Sequence, residues 1–483
     1  MNKVEEVLEV DKIRQNIKKF TKTIIAKQKI ELLTPSSDFN FVKKELNKLN
    51  QALKVMNLYG DFPIRSELDM FETINFAKKG NVFNEITLNN IKEEIQVTID
   101  TIKYSLSITE DLDDLNELFM SLKANEKLYN EINSAISIDN TVKDSASKAL
   151  FDIRKSIYSL NKNIHTTLNK LFSKHKDKLS GDNFVLRNGH YAIPVNSSFK
   201  SNFDGIVQDV SDSGLTTFIE PKEILELENE LAVLKIKERD EVNKILFALT
   251  NKVVEEGNNL INNNEVLGEL DFLSAKVKYA KEINANIPKL NKEKTFKLSN
   301  ARHPLIDKNF CVPNDFILGN DKTLMIISGP NAGGKTIALK TIAICSYMVK
   351  LCLAIPASVD SEICVFDKIY VEIGDKQSIE SNLSTFSAHI SSISVIFQYL
   401  TSNDLVVIDE LCNGTDPKEG EALAVAIVKK LLKIRALTIV SSHYELLKKY
   451  GFTNKQILNA SFIFNEKNVT PTFKILLGVS GKS

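Results

Sequence analysis

The chain has 483 residues, 43% of them hydrophobic, and its 62 Lys and Arg balance 62 Asp and Glu to a formal charge of zero. That length supports two or three domains with substantial cores. The balance excludes a histone-like or polybasic protein while leaving room for a local basic face, and no apolar run approaches the ~20 residues of a membrane helix.

The first segment, "MNKVEEVLEV", is acidic and has no signal-peptide apolar region. The five cysteines, Cys311, Cys345, Cys352, Cys364 and Cys412, lack CxxC spacing and all fall in the last third. They predict neither a disulfide framework nor a zinc site, and they suit a reducing cytoplasm. Residues 1–110 read as helices with short turns. Ile13, Ile17, Phe20 and Ile24 make one apolar face at helical spacing, and Ser37 or Asp38 is a natural N-cap. This part predicts a helical core domain with no chemistry of its own.

Residues 111–292 carry a sharper pattern. Leu150, Ile153, Ile157, Leu160, Ile164, Leu168 and Leu171 recur in steps of three and four, the period of about 3.5 of a helix packing along a narrow seam. A second stripe runs through Leu227, Leu231, Leu234, Val242, Ile245 and Leu249, interrupted at Glu238. Between them, about 181–221, Gly, Asn, Ser and Pro punctuate short β-branched and aromatic runs, which predicts strands and turns. The expectation is two long lever helices pairing antiparallel and bearing a small β tip. The end of the first arm is locally basic, so Lys170, Lys174, Lys176, Arg187 and Lys200 are candidate phosphate-backbone contacts. Pro288 and the polar "NKEKT" mark an expected boundary near 292.

From 293 to 483 strands alternate with helices, the pattern of a mostly parallel α/β sheet. "TLMIISGPNAGGKTIALKTIA" contains GxxxxGK(S/T) from Gly329 to Thr336, after an apolar strand and before a helix. Gly329, Gly333 and Gly334, with Pro330, Asn331 and Ala332 between them, let backbone N–H groups curl around phosphate oxygens at a helix N-terminus. Lys335 would reach the β and γ phosphates of ATP, and Thr336 would ligate Mg2+. "DLVVIDELCNGTDPKEG" places Asp409 and Glu410 at the C-terminal end of a buried strand. Asp409 suits the Mg2+ shell and Glu410 suits polarising the attacking water. "ALTIVSS" ends beside His443, a candidate γ-phosphate sensor. The loop "GDKQS" offers Asp375 and Gln377, of which Gln377 could reach Mg2+ or the water.

"SGPNAGGKT", "GDKQSIESNLSTFSAHISSI", "VVIDELCNGTDP" and "SSHYELLKKY", in this order and spacing, resemble the ATPase of the MutS family, a branch of the ABC-type ATPases. "RNGHYAIPV", "FDGIVQDVSDSGLTTFIEP", "ARHPLI", "VPNDF" and "GDFP" resemble its second bacterial branch, MutS type II, over almost the whole chain. The resemblance implies a multidomain α plus α/β protein: helical core and lever, a helical-hairpin clamp with a β tip, then an ABC-type P-loop ATPase domain. It implies a homodimer through shared ATP sites, where the hydroxyl-rich "NLSTFSAHIS" closes over the partner's nucleotide. Ser384 matches the signature serine, with Thr385 and Ser387 nearby, and Phe310 would stack on adenine. His389 has no role to carry over. Cys412 stands where glycine is usual, on the loop leading to Asp416. The family continues past "ILLGVSGKS" with a coiled coil and a small MutS-related nuclease domain, so nuclease activity is not expected of this chain. Partners implied are DNA in branched or recombining form, whose exchange such proteins suppress, or, alternatively, collided ribosomes gripped through rRNA and split. The neutral charge does not favour indiscriminate duplex binding.

Overall fold

The structure, a computed structural model, describes residues 3–65, 67–330, 333–374, 385–465 and 470–479. It is mixed α/β and divides into two compact units, each built from discontinuous chain. One comprises Met1–Glu67, Asp100–Leu122 and Glu265–Ser483, the other Leu68–Ile99 and Lys123–Asn264. No helix among the described residues is long and apolar enough to cross a membrane.

In the second unit the two apolar stripes form the helices Lys148–Lys174 and Lys222–Glu255. Ser147 starts the first by accepting a hydrogen bond from Leu150 N at 3.0 Å. Leu160, Ile164 and Leu168 of one arm bury against Ile224 and Leu231 of the other. Fully burying three such side chains contributes at most about 9 kcal/mol. Lower down, Leu150, Leu246, Leu249 and Val253 join a separate core with Ile74, Leu88, Ile91 and Ile132. The interruption at Glu238 falls between these cores and has a partner. Arg154 Nε donates to it at 2.7 Å while Nη1 donates to Val142 O at 2.7 Å and Asp144 at 2.5 Å.

Between the arms lie four short strands, β1 (Val185–Arg187), β2 (His190–Asn196), β3 (Gly205–Val210) and β4 (Thr216–Pro221), paired antiparallel in the order β1-β2-β4-β3. Asn188 and Gly189 turn β1 into β2 with φ of 49° and 86°, the paired positive φ that an Asn-Gly hairpin supplies. Ile193, Val195 and Ile219 send their side chains down onto the arm core.

In the first unit, Asp38 caps Phe39–Leu58 by accepting from Asn40 N at 2.8 Å and Phe41 N at 3.2 Å. Asp271, buried on helix Gly257–Glu282, accepts from Lys22 N, Thr23 N and Thr23 Oγ1 at 2.7, 2.7 and 3.0 Å, fixing the start of helix Ile24–Glu31. The polar "NKEKT" is a difference from expectation. It turns between β5 (Lys289–Asn291) and β6 (Phe296–Ala301), strands of one sheet that also holds β7 (Asn314–Leu318) and β9 (Glu362–Cys364). A charged connection between two strands of one sheet, here separated by β9, has the same composition as a linker, so pattern alone does not separate them.

The larger sheet has the order β10-β11-β12-β8-β13-β14. Its strands are β8 (Leu324–Ser328), β10 (Ile369–Glu372), β11 (Leu405–Ile408), β12 (Leu437–Ser441), β13 (Ile457–Asn465) and β14 (Thr470–Leu477). All pairs are parallel except the closing β13–β14 hairpin. β8, β11 and β12 are buried at every residue, as strands covered on both faces must be. Their C-terminal ends lie side by side at one edge of the sheet, where open parallel sheets bind ligands.

Candidate functional site

β8 ends at Ser328, and the chain turns through Gly329 at φ 128° and Gly334 at φ 98° before helix Lys335–Lys350. No side chain with a Cβ sits comfortably at those φ values. Gly333 N donates to Pro330 O at 3.0 Å, while Asn331 and Ala332 lie outside the described residues. Gly334 is the N-cap and brings no side-chain hydrogen bond to the helix start. The first-turn N–H groups therefore form an anion-binding end.

Lys335 is 2% exposed. Its Nζ donates to Gly329 O at 2.8 Å and lies 2.8 Å from His443 Nε2. Burial pushes the Lys335 ammonium below its ordinary range. Burial, with the Lys335 charge beside it, likewise pushes the His443 imidazole down. An ammonium can only donate, so Nε2 is the accepting nitrogen of a neutral ring.

The carboxylates are set by strand register. Ile408 pairs with Val440, which brings Asp409 level with Ser441. Ser441 Oγ donates to Asp409 Oδ1, and Thr336 Oγ1 donates to Asp409 Oδ2 at 2.6 Å. Glu410 N donates to the same Ser441 Oγ at 2.8 Å, and Asn413 Nδ2 holds Glu410 Oε2 at 2.7 Å. Ser441 and Asn413 were not singled out in the sequence. No sequence signal marks Ser441, which reaches Asp409 only through the pairing of β11 with β12. Glu410 and Cys412 take left-handed φ of 48° and 63°, each costing about 1 kcal/mol for a residue with a Cβ. That conformation accounts for the glycine expected at 412. The buried Cys412 thiol is pushed up to about 12 by desolvation, and Tyr444 Oη donates to its carbonyl at 2.7 Å. Asp416 caps the helix Pro417–Ile434.

Beside the phosphate-type loop is a cleft of about 140 Å³ lined by His303, Phe310, Gly334, Ile337, Phe462 and Phe473. Phe310 is 82% exposed at its mouth. The β13–β14 hairpin supplies Phe462 and Phe473, two aromatics that sequence reasoning passed over. Asn314 pins that hairpin, its Nδ2 donating to Phe473 O at 2.9 Å and its Oδ1 accepting from Ile475 N at 2.8 Å. A larger cleft of about 360 Å³, reaching Tyr279, adjoins His303 and is lined by Arg302 to Ile306 of "ARHPLI".

The chemistry of this set fits a nucleoside triphosphate and a hard divalent cation. A helix N-terminus and a lysine face where phosphate would lie, a hydroxyl and a carboxylate oxygen adjoin for Mg2+, and an aromatic cleft sits beside them. Gln377 and Ser384 lie outside the described residues, and His389 is half-buried on helix Thr385–Tyr399. Lys170, Lys174, Lys176, Arg187 and Lys200 are all exposed in the second unit. Arg187 is partly engaged, its guanidinium 4.6 Å over the Phe218 ring and 3.7 Å from Asp209.

Comparison with known proteins gives two findings. Residues 325–483 match the family model described as MutS domain V. The chain is 38% identical over 482 residues to a protein named Endonuclease MutS2 from Bacillus cytotoxicus, covering 99% of this chain and 61% of that relative. Proteins of the same name from Bacillus cereus and Lactobacillus johnsonii are also 38% identical, over 482 and 486 residues. The chain thus spans about three-fifths of the length of the curated relatives it matches.

Proposed function

The chain belongs to the MutS family, and from that premise we propose that it is a Mg2+-dependent ATP hydrolase that works as a cytoplasmic homodimer on DNA. One observation carries the reading. Groups from three separate strand ends meet, with Lys335 2.8 Å from His443 and Thr336 2.6 Å from Asp409. In this reading Gly329 to Thr336, with the N-terminal turn of helix Lys335–Lys350, hold the phosphates. Lys335 exchanges Gly329 O and His443 for phosphate oxygens, which frees the imidazole to face the terminal phosphoryl group. Phe310, Phe462 and Phe473 hold the base. Mg2+, held through Thr336 and Asp409 with Gln377 as a further candidate, supplies neutralisation of developing phosphoryl charge. Asn413 holds one oxygen of Glu410, orienting the other to accept a proton from the attacking water. The partner subunit's Ser384 completes the site in trans.

The DNA part of the proposal rests on the family and on the exposed Lys170, Lys174, Lys176, Arg187 and Lys200. It is binding to branched or recombining DNA, with suppression of exchange. Lys335→Ala tests the ATP site by fluorescent-nucleotide binding: affinity is lost, and an unchanged affinity contradicts the assignment. The trapped Glu410→Gln chain with ATP, offered branched DNA and ribosomes together at near-physiological salt, co-sediments with the DNA. ATP-dependent capture of ribosomes instead overturns the DNA reading in favour of rRNA.

A further inference from the structure

The root of the β tip holds a cluster that the ATP reading does not use. His190 starts β2, Glu220 lies near the end of β4, and Glu228 sits on helix Lys222–Glu255 two turns after its start. One ligand-type atom from each lies within 4.8 Å of the others. His190 Nδ1 is 2.8 Å from Glu228 Oε2 and 3.3 Å from Glu220 Oε2. The Glu220 side chain is fully buried. Its Oε2 accepts from Gln208 Nε2 at 2.6 Å, but its Oε1 is a buried oxygen with no hydrogen-bond partner among the described residues. A buried carboxylate oxygen without a donor is unfavourable, and a cation beside the carboxylate would offset it.

We propose that His190, Glu220 and Glu228 form a binding site for a first-row divalent cation of zinc type. The donor set is one imidazole nitrogen and two carboxylates, which suits Zn2+ and its neighbours and does not suit Mg2+ or Ca2+, whose sites are all-oxygen. Tetrahedral coordination with bonds of about 2.0–2.1 Å separates ligand atoms by about 3.4 Å. The 3.3 Å separation already matches that edge, and the 2.8 Å one opens by about half an ångström. Charge agrees: a neutral imidazole with two carboxylates makes a dianion for a dication. Without a cation, burial and the Glu228 charge hold the Glu220 carboxyl above its ordinary range, and the hydrogen bond to Glu228 holds the His190 imidazole above its own. Bonding to Tyr191 N at 2.8 Å through its other oxygen pre-orients Glu228, the supporting contact that tunes a ligand. The ion would tie β2, β4 and an arm helix together at the root of the tip.

The full chain, stripped with EDTA, is titrated with Zn2+ by calorimetry and with Co2+ by visible absorption. The expected result is one ion per chain, Co2+ d–d bands of a four-coordinate N/O site, and proton release. Glu220→Gln and Glu228→Gln weaken binding at least about 100-fold. His190→Cys keeps the ion and adds a near-ultraviolet thiolate-to-Co2+ band that the parent chain lacks. In the unaltered chain Zn2+ slows carbon-bound C2 hydrogen exchange at His190 and at none of the other five histidines. No Zn2+ heat and no Co2+ band, an affinity equal in all variants, or protection at a different histidine would each overturn the proposal.

Discussion

His303 gives the most quantitative test of the first unit's packing. It is 7% exposed, and its Nδ1 accepts a hydrogen bond from Leu305 N at 3.3 Å. Protonation must break that bond and charge a ring shielded from water. Burial, with the Lys340 charge adding to it, pushes the imidazole from 6.5 down to about 4. Because the folded value is depressed, the unfolded chain takes up a proton first as pH falls. The stability is therefore intact above about 6.5 and is lost progressively between 6.5 and about 4. At about 1.4 kcal/mol per unit, the loss between pH 7.5 and pH 5.0 is about 2 kcal/mol, approaching about 3 kcal/mol below pH 4. His303→Asn keeps an acceptor near the Nδ1 position and removes the titration. Urea midpoints of both chains at the two pH values should differ by that amount in their pH response. Carbon-bound C2 exchange at His303, read by mass spectrometry, should titrate near 4. Equal acid losses in both chains, or titration near 6.5, would refute the reasoning.

Asp271→Ala strips three hydrogen bonds, two of them from the buried Thr23, at the start of helix Ile24–Glu31. It should destabilise the unit by about 3 kcal/mol, and a loss in thermal denaturation worth less than about 1 kcal/mol would contradict the buried capping role. At Gly329 a Cβ would meet Phe462 at 3.5 Å, an ordinary contact, so Gly329→Ala tests backbone conformation alone. The φ of 128° makes the cost on the order of 1–3 kcal/mol, read as at least about a fivefold loss of ATP affinity; an unchanged affinity rules out this loop geometry. Cys311 is half-exposed while Cys345, Cys352, Cys364 and Cys412 are buried, and burial pushes their thiols up to about 12, 11, 12 and 12. Iodoacetamide should label Cys311 first, and Mg2+ with ATP should slow that labelling, because Cys311 adjoins Phe310 in the cleft. Mixing Ser384→Ala with Lys335→Ala subunits gives dimers with one intact and one doubly altered site; activity no better than either single variant excludes completion in trans.

Much of this architecture is legible because its signals are local. The arm stripes at 150–171 and 227–249 give their own period, and the glycines of residues 329–336 sit between a buried strand and a helix. What is not legible depends on register between distant strands. Ser441 serves Asp409 and Glu410 only because β11 and β12 lie side by side, and nothing about an isolated serine announces that. Glu238 breaks the apolar pattern of the seam, and only the fold sets Arg154 opposite it. Phe462 and Phe473 come to the cleft from a hairpin whose pattern says only strand. His190, Glu220 and Glu228 have no motif spacing, since two strands and a helix bring them together. The compact units are discontinuous, and composition along the chain reports no such return.

The central claim is that Glu410 activates the water while Lys335 and its neighbours hold the nucleotide. The direct measurement is single-turnover phosphate release from Mg2+ and radiolabelled ATP, with filter retention of the nucleotide measured in parallel, for the parent chain and Glu410→Gln. The account predicts that Glu410→Gln retains ATP at parental affinity and releases phosphate at least about 100-fold more slowly. Phosphate release from Glu410→Gln at the parental rate would contradict it.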